Sequence, residues 1–206
     1  MLNQYLNKYV STLLNIYDRD LTIEDIEKVG ELNLNFYDFS GEPNDIRIQE
    51  FKYFKNLITL RMVDFDLNED DFNILGTLNN LENLELNDCI IFDENSISKL
   101  SKLRSIELRN MDIKNLEFCT KLLDLKSISL KDSKIKNLIP IKKCTRLEYL
   151  DLEGVGDINL EFLLKFDNLK FINLSKQQLT QVNLKVLESL EKRDDFSYEV
   201  EMKHIY

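Results

Sequence analysis

Hydrophobic residues recur along this chain in a fixed phrase, Leu-x-x-Leu-x-Leu, in which Ile or Met sometimes replaces a Leu. The phrase starts at residues 57, 81, 103, 125, 147 and 169, and a weaker form starts at residue 29. The intervals between successive starts are 28, 24, 22, 22, 22 and 22 residues. A near-constant interval of this length is typical of a solenoid, in which each turn of the chain stacks on the turn before it.

The alternation inside each phrase predicts a strand. If its first Leu is position 1, the apolar residues at positions 4 and 6 face the interior, and positions 3, 5 and 7 face the opposite side. Further apolar residues recur at positions 11, 17 and 20. A single turn cannot bury so many apolar side chains, so we expect the turns to stack and their strands to form a parallel sheet.

The two ends of the chain predict caps. Apolar residues at three- and four-residue steps predict a helix over 2–17, and Thr22 is placed to cap a second helix over 22–28. Near the other end, the pattern predicts a helix over 180–193 with Val182 facing inward, followed by a strand within 196–202. Such caps cover the core that the terminal turns of a solenoid would otherwise expose.

These elements predict a single domain over 1–206. It comprises a helical cap at 1–28, about seven repeats at 29–179 and a C-terminal cap at 180–206. The longest interval contains Gly41 and Pro43, which predict an inserted loop.

The repeat unit resembles that of leucine-rich repeat proteins, and its 22-residue form resembles the bacterial internalin class. The stretch 135–147, I-K-N-L-I-P-I-K-K-C-T-R-L, is similar to the internalin phrase I-x-D-I-x-P-L-x-x-L-T-x-L, and 21–27 resembles the cap that precedes such repeats. Taken together with the predicted caps, the resemblance implies an α/β leucine-rich repeat solenoid. We expect a curved horseshoe with a parallel concave sheet, a helical N-terminal cap and a helix-plus-strand C-terminal cap. The resemblance also implies protein recognition.

The chain departs from that class at position 9, where the family usually has an Asn that bonds the backbone of adjacent turns. The residues at this position are Phe65, Cys89, Met111, Ser133, Val155 and Gln177. We therefore expect other groups to satisfy the backbone amides of these turns.

The composition restricts the classes of partner that we expect. Asp plus Glu number 37 against 27 Lys plus Arg, a net charge of −10. Nucleic acids and anionic membranes require basic surface, so we expect neither as a partner. The first residues do not have the pattern of a secretory signal, and the three cysteines lack C-x-x-C spacing. We therefore expect reduced thiols and a cytoplasmic protein that is a monomer.

The concave face, formed by positions 3, 5 and 7, contains the candidate binding residues. Tyr149 and Phe171 occupy position 3 of neighbouring strands, about 5 Å apart, and Asp151 and Glu153 follow Tyr149 on its own strand. Two exposed aromatic residues beside acids are typical of the centre of a protein interface. The alternative is that the C-terminal cap folds over both rings.

Further candidate binding residues on this face carry charge. They are Glu85, Glu107, Arg109 and Lys131. The adjacent Glu85 and Glu107 resemble an acid/base pair or half of a metal site, but no His, Cys or third carboxylate joins them. A solvated sheet of mixed charge is the better interpretation, so we predict no catalytic residue, metal or cofactor.

A further acidic group, Asp64, Asp88 and Asp132, lies at position 8. It either steers a basic partner or is simply solvated. The sequence thus favours a non-enzymatic module that binds a protein on its concave face. The alternative hypotheses are an inhibitor or immunity-type protein that neutralises a basic enzyme or toxin, a self-associating structural module, and an enzyme.

Overall fold

A computed structural model describes residues 2–35 and 46–201. The predicted loop containing Gly41 and Pro43 lies outside the described residues, as do the last five residues of the predicted C-terminal cap. The described helices are α1 (Gln4–Leu14), α2 (Ile23–Ile26), α3 (Glu69–Leu75) and α4 (Gln181–Leu190).

Twelve strands are described. In chain order they are β1 (Glu31–Asn35), β2 (Thr59–Val63), β3 (Asp66–Leu67), β4 (Asn83–Asn87), β5 (Ile90–Ile91), β6 (Ser105–Arg109), β7 (Asp112–Ile113), β8 (Ser127–Ser129), β9 (Lys134–Ile135), β10 (Tyr149–Asp151), β11 (Phe171–Ser175) and β12 (Ser197–Glu201). Short 3₁₀ helices follow most strands, at Ile48–Tyr53, Glu94–Lys99, Glu117–Thr120, Ile139–Lys143, Leu160–Lys165 and Lys176–Gln178.

Eight strands form one parallel sheet in the order β1-β2-β4-β6-β8-β10-β11-β12. Position 3 of each repeat pairs with position 3 of the next, so that Thr59 pairs with Asn83 and Tyr149 pairs with Phe171. Residues of one repeat position therefore form continuous rows across the sheet. The short strands pair separately, β3 with β5 and β7 with β9, on the side where the chain leaves the sheet.

The core is one continuous cluster of buried apolar side chains. Positions 4 and 6 point into it, as the alternation predicts, and positions 17 and 20 do so as well; Ile97, Cys119 and Cys144, for example, are fully buried. Because the same positions recur on every turn, each layer of side chains packs on the layers beside it.

The N-terminal cap forms as predicted. Thr22 and Asp25 make a reciprocal capping box at the start of α2, and Arg19 and Lys28 pair with the buried Asp25 carboxylate. Tyr9 of α1 covers the open edge of β1, since its hydroxyl donates to the Asn33 carbonyl at 2.9 Å and accepts from the Asn33 N–H at 3.2 Å. This contact satisfies an exposed strand edge.

The C-terminal cap consists of α4 and β12, the helix and strand that the sequence predicts. The expectation that Val182 faces inward is wrong, because Val182 is exposed and Asn183 is buried in its place. The Asn183 amide donates to the carbonyls of Ile158 and Gln178 and accepts from the Leu160 N–H. The first turn of α4 is thus held to the last repeats by polar contacts.

Candidate functional site

Tyr149 and Phe171 lie near the C-terminal end of a row of position-3 residues on the sheet. The row continues as Ser105, Ser127, Tyr149, Phe171 and Ser197. The two rings stack with centroids 5.2 Å apart and planes inclined by 5°, and both residues are half-buried. The prediction that the two aromatic side chains are neighbours is therefore confirmed. Aromatic pairs favour such a stacked geometry when the rings are offset.

Within residues 180–201, the described part of the C-terminal cap, the chain does not fold over these rings. Instead β12 extends the sheet beside β11, so that Ser197 is the next residue of the row after Phe171. On the other side of the pair, Ser127 separates Tyr149 from the rest of the sheet. Small side chains therefore border the aromatic pair on both sides.

Asp151 differs from the exposed residue that strand alternation predicts, since only 5% of it is accessible to solvent. Its carboxylate accepts hydrogen bonds from the Ser129 hydroxyl at 3.2 Å and from the Glu153 N–H at 3.0 Å. Burial raises the pKa of this carboxyl, and these two hydrogen bonds oppose the rise. Asp151 thus joins β8 to β10 within the sheet.

Glu153 is also buried, with 3% of its surface accessible. Its carboxylate pairs with Lys131 at 2.5 Å and accepts from the Asn173 amide at 3.3 Å. Lys131 also lies 3.5 Å from Glu201 of β12, and its hydrogen bond to Glu153 raises the pKa of the lysine. Glu153 and Lys131, which the sequence offers as candidate binding residues, are thus paired with each other within the chain.

A shallow groove borders this network at the C-terminal end of the sheet. It has a volume of about 280 Å³, and Lys131, Glu153, Asn173, Glu199, Val200 and Glu201 line it. Three of these six residues are glutamates. The rim of the concave face beside the aromatic pair is therefore predominantly acidic.

The other predicted charges lie towards the N-terminal half of the sheet. Arg61 contacts both Glu31 and Glu85, and Arg109 Nε lies 3.3 Å from Glu107 Oε1. Burial raises the pKa of Glu107, against the effect of Arg109. With their neighbours these residues line a second groove of about 180 Å³. It is a surface of mixed charge, as the sequence predicts.

The structure gives a backbone reason for the acids at position 8. Asp64, Asp88 and Asp132 have φ of 62°, 55° and 56°, and Asn110 and Gly154 occupy the same position of their repeats with φ of 53° and 74°. Asp, Asn and Gly are the residues that tolerate this left-handed conformation. Neither partner steering nor solvation is needed to explain these acids.

Three residues take over the backbone contacts that an Asn at position 9 would supply. Cys89 Sγ accepts from the Phe65 N–H and donates to the Met62 carbonyl, both at 3.4 Å. Ser133 Oγ accepts from the Met111 N–H at 3.0 Å and donates to the Leu108 carbonyl at 2.9 Å. The prediction that other groups satisfy these amides is confirmed.

The third residue is Gln178, not the Gln177 that the repeat spacing places at position 9. Gln178 is fully buried and Gln177 is exposed. The Gln178 side chain accepts from the Ser175 N–H and donates to the carbonyls of Leu152 and Gly156. Spacing alone misses this residue by one place, because the turn after β11 is a short 3₁₀ helix with a different register.

No group of three or more His, Cys, Asp or Glu side chains that could hold a metal occurs within 2–35 and 46–201. The three thiols are free and buried, and burial raises the pKa of Cys89 to about 11. A thiol with this pKa is a poor nucleophile at neutral pH. Among the described helices, none has the length and apolar character to cross a bilayer.

Comparison with solved structures identifies the architecture. Internalin C2 of Listeria monocytogenes superposes with a TM-score of 0.62 at 20% identity, over 84% of this chain and 74% of that one. The fold is a leucine-rich repeat solenoid. Internalin F of the same organism superposes with a TM-score of 0.66 at 17% identity, over 98% of this chain and 64% of that one.

Neither a family model nor a curated protein sequence matches the solenoid. The predicted fold class is confirmed: the long parallel sheet is the concave sheet of such a solenoid, and helices lie at both ends. At these identities the likeness concerns the fold. The concave face described above is therefore characterised by its own residues.

Proposed function

We propose that this solenoid is a non-enzymatic module that binds a protein partner on its concave face, with Tyr149 and Phe171 at the centre of the contact. The supporting observation is the stacked, half-buried aromatic pair on a sheet whose neighbouring positions are small or charged. Aromatic residues in such positions contribute most of the binding energy of many interfaces.

The proposal assigns different roles to the other candidate residues. Asp151, Glu153 and Lys131 link β8 and β10 through buried contacts, Lys131 also reaches Glu201 of β12 at the surface, and together they shape the sheet beside the rings. Glu85, Glu107 and Arg109 place half-buried charge on β4 and β6, on the N-terminal side of the aromatic pair, and set the electrostatic preference for a partner. Charges of this kind affect specificity and association rate more than affinity.

An affinity capture from native lysate, with quantification by mass spectrometry, tests the proposal. The variant Tyr149→Ser/Phe171→Ser should lose the captured partner, by about 2 kcal/mol or more of binding free energy. The matched control is Phe92→Ser, because Phe92 is an aromatic residue that is 65% exposed and lies just after β5, outside the large sheet.

Circular dichroism of all three proteins establishes that they remain folded. A partner that is retained by the double variant and lost from Phe92→Ser would place the interface on the side of β3 and β5. A partner that both variants retain would remove the aromatic pair from the proposal.

A more specific role is an inhibitor or immunity-type protein that neutralises a basic enzyme or toxin. The net charge of −10 and the three glutamates that line the larger groove favour a basic target. The test is the addition of the purified protein to basic nucleases and toxins in activity assays. Inhibition at a one-to-one ratio that high salt weakens supports this role, and unchanged activity across the panel argues against it.

A further inference from the structure

The aromatic pair is open on the side that faces β8. Tyr149 contacts Phe171 with one ring face, and the residues next to its other face in the row are Ser127 and then Ser105. Adjacent strands lie about 4.8 Å apart, so a serine in place of a large side chain leaves space beside the ring. We call the space above Ser127, next to the free face of Tyr149, the Ser127 slot.

One end of this slot is acidic. The position-5 row lies beside the position-3 row on the same face of the sheet, and in it half-buried Glu107 and buried Asp151 pair with Ser129 from either side. Burial raises the pKa of the Tyr149 hydroxyl, and the negative charges of Asp151, Glu107 and Glu199 raise it further, against a smaller opposite effect of Lys131. The tyrosine therefore lies in a region of negative potential, even though Arg109 is next to Glu107.

A planar, positively charged group matches both properties of the slot. A guanidinium stacks flat against an aromatic ring and donates hydrogen bonds to carboxylates in the same plane, whereas an ammonium lacks the plane and a partner's aromatic ring lacks the charge. We propose that the Ser127 slot binds an arginine side chain of the protein partner, stacked on Tyr149. This inference rests on the proposed function, since it names the chemistry of the partner at that same surface.

The experiment is an NMR titration of the full chain with N-acetyl-arginine amide. We expect saturable shifts centred on the backbone amides of Ser127, Ser129 and Tyr149, with an affinity in the millimolar range. N-acetyl-citrulline amide has the same shape without the charge, and N-acetyl-lysine amide has the charge without the plane. The citrulline derivative should bind about fivefold more weakly, which corresponds to the loss of a cation–π contact. The lysine derivative should also bind more weakly, because an ammonium cannot stack flat on the ring.

Two variants locate the binding. Ser127→Tyr fills the slot with a third ring and should abolish the response to the arginine derivative. Ser197→Tyr, the matched control, extends the stack on the far side of Phe171 and should leave the response at the Ser127 slot unchanged. The amide spectra show directly whether each variant retains the fold.

Equal binding of the arginine and citrulline derivatives, or binding that survives Ser127→Tyr, would overturn the inference. A captured partner that depends on Tyr149, combined with no arginine response, would leave the proposed function standing and remove the slot. An arginine response as expected, together with a partner that ignores the aromatic pair, would support the slot and contradict the proposed function.

Discussion

Gln178 offers a direct test of how the last turns of the solenoid are held together. The substitution Gln178→Leu keeps the size of a fully buried side chain and removes its amide. It deprives the Ser175 N–H and the Gly156 carbonyl of their side-chain partner, whereas the Leu152 carbonyl keeps the Val155 N–H at 3.2 Å. The matched control is Gln177→Leu, the same change at the adjacent, exposed position.

The expected loss of stability follows from the three bonds. Their lengths are 2.7, 2.9 and 3.1 Å, and the first two join buried groups. The buried Ser175 N–H without a partner costs about 1–3 kcal/mol, and the Leu152 carbonyl, which keeps the Val155 N–H, loses a hydrogen bond worth about 0.5–1.5 kcal/mol. The Gly156 carbonyl is only partly buried and can bond to water, and the leucine gains about 1 kcal/mol from its apolar transfer. We expect a net loss of about 2 kcal/mol for Gln178→Leu and a change within about 0.5 kcal/mol for Gln177→Leu.

Urea unfolding followed by circular dichroism and by tyrosine fluorescence measures this difference. The two signals should coincide in the wild type, which establishes that the solenoid unfolds as one unit and makes the free energies comparable. A Gln178→Leu protein as stable as the wild type would refute the reasoning, because it would mean that these backbone groups find partners without the amide. Similar losses in both variants would trace the effect to added apolar surface.

Two further predictions concern backbone strain and pH. Gly154→Ala should lower the free energy of unfolding by about 2–4 kcal/mol in urea, since φ of Gly154 is 74° and the added Cβ would lie 2.9 Å from Asp132 Cα. The matched control is Gly156→Ala. Its φ is 77°, but the added Cβ would have no atom within 4 Å, so it should cost only about 1–2 kcal/mol. Equal losses would show that the contact with Asp132 is unimportant. The Arg19 guanidinium holds the pKa of the Asp25 carboxyl well below its ordinary 3.8. The ionised Asp25 therefore stabilises the folded protein above pH 3.8, and this stabilisation is lost as the pH falls below that value. Asp25→Asn should therefore be less stable at pH 7 and show a smaller loss between pH 4 and pH 2.5; an unchanged slope would contradict this assignment.

The sequence predicts the solenoid well because its main signal is repeated. Apolar residues recur at positions 4 and 6 of every turn, and at positions 17 and 20 of the turns that start at 81, 103, 125 and 147. The stacking of turns requires all of them to be buried together. The register of the sheet follows from the same spacing, which is why the sequence predicts that Tyr149 and Phe171 lie side by side. The N-terminal cap can also be predicted from the sequence, because the capping box of Thr22 and Asp25 is a local pattern.

Single polar residues were harder to place, since their environment depends on the register of one turn. Gln177 and Gln178 have the same side chain, and only the 3₁₀ geometry of Lys176–Gln178 decides which amide enters the core. Asn183 is a similar case: helical periodicity favours Val182 as the buried residue, but unpaired backbone groups at Ile158 and Leu160 require a polar side chain there. Periodicity reports apolar burial and gives no account of backbone groups that need partners.

The burial of Asp151 and Glu153 narrows the surface on which a partner can be recognised. Strand alternation assigns both carboxylates to the concave face, yet their oxygens are occupied by Ser129, Lys131 and Asn173. A partner that paired with Glu153 would have to displace Lys131 and leave it beside Glu201 alone. Recognition through the aromatic ring needs no such rearrangement, since a ring face carries no bond that must first be broken. The free face of Tyr149, which looks across β8 towards half-buried Glu107 on β6, is therefore the part of this surface that can bind a new group at the lowest cost.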